Sequence, residues 1–93
     1  MNEHELADLQ SVASRHPAVA LYVFGSTIHG QETPIDLDML AVYATLQDFV
    51  ALRADLDRQP FAPLIDLVAM TPDELRGSGF LVRSGAVPLA ALR

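Results

Sequence analysis

Ninety-three residues, 51 % of them apolar, suffice for one core, since a chain this short buries only about 60–65 % of its unfolded surface; a single domain over residues 1–93 is expected. With no cysteine, and with arginine as every one of the six basic residues, the chain lacks thiolate chemistry, a disulfide framework, a Walker-type phosphate loop and a Schiff-base lysine. The net charge of -6 argues against a nucleic-acid partner, whose binding rests on basic side chains displacing counterions, and no apolar run reaches the roughly 18 residues of a membrane span.

Met1 to Gln10 is acidic and polar, without the basic start and apolar stretch of a signal peptide, so a cytoplasmic protein is the default expectation. Leu6, Leu9, Val12 and Ala13 recur at helical spacing from Glu3 to Arg15, and His16-Pro17 stops the pattern. Ala18 to Phe24 is an apolar run rich in strand formers, cut off by Gly25-Ser26. Ser26 suits a helix cap, with space for one short turn before Gly30 and a loop from Gln31 to Pro34. Ile35 to Tyr43 reads as a second strand carrying two carboxylates, Asp36 and Asp38. Helical periodicity returns from Leu46 to Arg58, and Leu64 to Met70 is a third strand interrupted by Asp66. Thr71-Pro72-Asp73-Glu74 has the form of a helix start, Gly77 and Gly79 mark the end of a short helix, and Val82 to Leu89 reads as an edge strand because Pro88 suits an edge. This order predicts an α/β fold, a small mixed sheet with helices packed on it.

The carboxylates carry the chemistry. Successive strand side chains point to opposite faces, so Asp36 and Asp38 share a face, separated at the backbone by about 7 Å. Two like charges on an otherwise apolar strand are unfavourable alone and are relieved by a divalent cation; magnesium takes oxygen ligands and binds through one or two carboxylates plus substrate phosphates. Asp66, flanked by Ile65 and Leu67, repeats the apolar-acid-apolar pattern and joins the pair if its strand is a neighbour. Such a trio can hold two cations about 3.5–4 Å apart, one activating a hydroxyl and one stabilising a leaving pyrophosphate. At the first turn, Gly25 lets the backbone approach a triphosphate, and Ser26 can donate to its oxygens.

Phe24-Gly25-Ser26, then Gly30, then Asp36-Leu37-Asp38-Met39, then Ile65-Asp66-Leu67 resemble the signature of the DNA polymerase beta-like nucleotidyltransferases, and more narrowly of their minimal nucleotidyltransferase (MNT) members. The match runs from Tyr22 to Val68. The resemblance implies a polymerase beta-like nucleotidyltransferase fold and transfer of a nucleoside monophosphate from a triphosphate, as a rule ATP, to a hydroxyl. It assigns Gly25 and Ser26 to the triphosphate, Asp36 and Asp38 to two Mg2+ ions, and Asp66 to a metal and to activation of the nucleophile. It also implies pairing with a small helical protein of the HEPN class, towards which the MNT partner acts as antitoxin in a toxin-antitoxin system. The chain departs from the pattern at Thr27, Ile28 and His29, where the family commonly has arginine, and at Ile35, where it has serine. These departures keep open an alternative: a catalytically weak or inactive MNT-like antitoxin that acts by binding a helical partner. Acceptor, base preference and oligomeric state are not fixed by the residues.

The remaining polar residues read more plainly. His29 is taken for a loop residue, His4 and His16 for helix-end residues without metal-ligand spacing, and Arg76 and Arg83 for solvated side chains that can at most assist a phosphate. Asp48, Asp55, Asp57, Asp73 and Glu74 read as exposed helix faces and helix starts.

Overall fold

Periodicity sets the elements of the computed structural model, which describes residues 3–25, 37–60 and 65–92. Ser26, His29, Gly30, the expected loop from Gln31 to Pro34, Ile35, Asp36 and Leu64 lie outside the described residues. Helix α1 (Glu3–Arg15) has acids in its first turn and Arg15 in its last, as the helix dipole favours, and buries Leu9 and Val12. Strand β1 (Val19–Phe24) follows, then β2 (Leu37–Tyr43) and helix α2 (Leu46–Asp57). Thr45 caps α2, its hydroxyl accepting the Asp48 N–H at 3.3 Å. Strand β3 (Ile65–Met70) leads to α3 (Pro72–Ser78), where Thr71 and Glu74 satisfy each other's backbone N–H in a capping box and Pro72 fits the first turn.

The four-stranded sheet has the order β3-β2-β1-β4. Strand β2 runs antiparallel to β1 and parallel to β3, with α2 as the crossover that a parallel pair requires. Alternation then divides the side chains between two faces. Val19, Leu21 and Val23 of β1 and Leu37, Met39 and Ala41 of β2 are buried against Leu9 and Val12 of α1 and Leu52 and Leu56 of α2. The other face carries Phe24, Asp38 and Asp66. Helix α3 and the five-residue α4 (Phe80–Ser84) lie on that side, joined to it by the Phe24–Phe80 ring contact and a 3.8 Å Ser78–Met70 contact. The result is an α/β sandwich with a mixed sheet. No helix among the described residues is long and apolar enough to cross a membrane.

Two expectations need correction. The stretch Val82 to Leu89 is not one strand: its first residues belong to α4, Gly85 turns the chain at φ 67°, and β4 is only Val87–Pro88. Proline has no N–H with which to extend the ladder, and burial of Leu89 draws the chain into a 3-10 turn, Leu89–Ala91. Val82, which a strand would have half-covered, is 90 % exposed. Asp55 is the second correction. It is not on an exposed helix face but 7 % exposed, because it follows Leu52 on the inward stripe of α2.

Candidate functional site

The C-terminal end of β1 and the N-terminal ends of β2 and β3 meet at one edge of the sheet. There the register sets Phe24 opposite Asp38 and Asp38 opposite Asp66, one row across three strands. Residues directly opposite one another share a sheet face, and neighbouring strands lie about 4.8 Å apart, so the two carboxylates stand side by side. Asp38 is half-buried and Asp66 exposed. The condition set by the sequence, that the strands of Asp38 and Asp66 be neighbours, is met.

Gly25 begins the turn out of β1 with φ 65°, a conformation that costs an L side chain roughly 1–2 kcal/mol. A Cβ atom at this position would also collide with Asp38 Oδ2. Glycine is therefore needed twice, once for the backbone angle and once for the approach of the main chain to the carboxylate. Gly25 and Asp38, thirteen residues apart in the chain, are thus packed against each other at the end of the row that holds Asp66.

Electrostatics explains what this arrangement can do. Two ionised carboxylates side by side repel each other, and an oxygen-seeking divalent cation between them converts that repulsion into attraction. Carboxylate oxygens are the donor type that magnesium takes. Among the described residues no group of three or more His, Cys, Asp or Glu is placed to hold a metal, and Asp36, the third carboxylate of the signature, lies outside them, as does Ser26. Of the five site residues read from the sequence, the described three, Gly25, Asp38 and Asp66, come together.

The arginines considered for phosphate binding are engaged locally. Arg76 pairs with Asp73 one helical turn away, and Arg83 Nε donates to the Ser78 carbonyl at 3.0 Å. A cavity of about 510 Å3 also lies elsewhere: it sits beside the N-terminal half of β1, between Ala13, Val19, Leu21 and Leu89, and is mainly apolar. Its lining has no carboxylate, so the row of acids, with its convergent charges, is the better candidate for chemistry.

The polar cluster that sequence reasoning missed joins α1 to α2. Arg15 donates Nε to Asp55 Oδ2 and Nη2 to Oδ1, both at 2.9 Å, and His16 Nε2 reaches Oδ2 at 2.9 Å. A carboxylate only accepts, so His16 carries its proton on Nε2. The hydrogen bonds from Arg15, then those from His16, hold the Asp55 carboxyl well below the usual carboxylate range. Its partners are the last residue of α1 and the residue that follows it, so the cluster is a clasp between the end of α1 and α2. Its signal was present in the sequence: Asp55 falls between Leu52 and Leu56 on the apolar stripe of α2.

No family model and no curated protein matches the chain.

Proposed function

We propose that this chain is a metal-dependent nucleotidyltransferase of the MNT type, with a polymerase beta-like fold, which moves AMP from ATP to a hydroxyl on a helical HEPN-type partner. The observation that carries the reading is the cross-strand row in which Asp38 and Asp66 stand side by side, with the Gly25 backbone packed against Asp38. It agrees with the order of motifs in the sequence, whose resemblance to the MNT family assigns Gly25 and Ser26 to the triphosphate and Asp36, Asp38 and Asp66 to the metals. When bound, two Mg2+ ions supply charge stabilisation for the phosphates and lower the proton affinity of the attacking hydroxyl. The acceptor oxygen forms a bond to the α-phosphorus, the bond from that phosphorus to the bridging oxygen breaks, pyrophosphate leaves, and the hydroxyl proton passes to Asp66. Alignment and electrostatic stabilisation account for most of the rate in such a transfer.

A second reading rests on Thr27, Ile28, His29 and Ile35, which stand where the family has arginines and serine. In that reading the chain neutralises its partner by binding alone. One experiment separates the two. The co-purified partner is incubated with ATP, magnesium and either wild type or Asp66→Ala, and both proteins are weighed by mass spectrometry. Transfer predicts a partner heavier by one AMP with wild type and at least a hundredfold less with Asp66→Ala. An unmodified partner that both forms neutralise equally supports the binding protein. Vigorous transfer by the isolated chain to a small sugar or an RNA end would overturn the partner assignment.

A further inference from the structure

The row of acids does not end at Asp38. Its next member is Phe24, directly opposite Asp38 on β1 and on the same face of the sheet. The Phe80 ring from α4 meets Phe24 at a centroid distance of 5.1 Å and an interplanar angle of 88°, edge to face. Neither ring is buried, and neither belongs to the core packed between the sheet and α1 and α2. The other aromatic pair, Tyr43 and Phe49, is stacked at 29° at the far end of β2 and packs against that core. The Phe24–Phe80 pair is therefore an aromatic wall beside charged groups.

In an edge-to-face pair each ring keeps at least one face uncovered by its partner. The backbone of Phe80 is also fixed: its N–H donates to Ser78 Oγ at 3.2 Å, and Arg83 Nε ties the same turn by its bond to the Ser78 carbonyl. A fixed aromatic ring loses little freedom when a flat group stacks on it, and base-aromatic stacking tolerates any base because every base has a π-face. Phe80 meets Phe24, and Phe24 is the register partner of Asp38, so the half-buried Phe80 ring lies one side chain removed from the carboxylate that would hold the phosphates.

We infer that Phe80, braced edge to face on Phe24, is the platform on which the base of the bound nucleotide stacks. The inference rests on the nucleotidyltransferase reading and adds a residue that positions the nucleoside end of the substrate. It makes the site general for nucleoside triphosphates, with discrimination between bases left to other contacts.

The test compares MgATP with magnesium tripolyphosphate, which has the phosphates but no base, by calorimetric titration of wild type, Phe80→Leu, Phe80→Tyr and Asp38→Asn. Leucine keeps an apolar side chain against Phe24 but removes the π-face; tyrosine keeps both. The expected result is a roughly tenfold loss of ATP affinity in Phe80→Leu, unchanged tripolyphosphate affinity, and recovery in Phe80→Tyr. Asp38→Asn is expected to lose both ligands. Equal ATP affinity in Phe80→Leu and wild type overturns the platform, and so does an equal loss of both ligands, which marks a merely structural ring. In either case the loss in Asp38→Asn leaves the carboxylate reading standing. If wild type binds neither ligand, the carboxylate reading fails and the platform with it.

Discussion

Gly25 and Asp38 constrain each other. A β-carbon at residue 25 meets Asp38 Oδ2, and the φ of 65° already disfavours any L side chain. Gly25→Ala is therefore expected to lose about 2 kcal/mol of stability in urea unfolding, the upper end of what backbone strain costs, because the Asp38 carboxylate must also turn away. A loss below about 0.5 kcal/mol would contradict the close approach. The aspartates themselves show how far residue type informs. The apolar-acid-apolar pattern around Asp38 and Asp66 was legible because acids are rare within apolar strands. Their side-by-side placement was not, since it depends on which strand lies next to which, and no single strand encodes its neighbour.

At the scale of elements, α1, β1, α2 and α3 were readable from local physics: 3.6-residue periodicity, a strand-forming apolar run, and a Thr-Pro-Asp-Glu start whose capping box the structure contains. The end of the chain was not. An apolar stretch of three residues such as Phe80 to Val82 suits helix and strand alike, and tertiary packing of Leu89 decided the outcome. The clasp between α1 and α2 was hidden for a related reason, since Asp55 looks like any helix acid until α1 is packed against it. Its effect on stability has a definite sign. The native Asp55 carboxyl is held low by Arg15 and His16, whereas in the unfolded chain it takes up a proton near pH 3.9. Below that pH the unfolded state binds more protons than the native one, so the stabilisation is present above about pH 4 and is lost as the pH falls further. Urea midpoints at pH 6 and pH 3 should drop less between the two conditions in Asp55→Asn than in wild type. Equal drops in both would show that the clasp does not titrate with folding.

For the molecule as a whole, the parallel register of β2 and β3 governs timing as well as position. Asp38 and Asp66 are twice as far apart along the chain as Asp38 and Phe24, and they meet only after α2 has folded back across the sheet. Non-local strand pairing is slow because loop closure must come before any contact repays it. The antiparallel β1–β2 ribbon can therefore form early, and the pair of acids closes late, beyond the main folding barrier. A cation that recognises the closed pair stabilises the native state without assisting the route to it, so its effect falls on the rate of escape. Stopped-flow measurements with added magnesium should show slower unfolding and nearly unchanged refolding; a faster refolding limb would place the acids in the nucleus. The same row of side chains that organises the site would thus act as a latch, closed last on the way in and opened first on the way out.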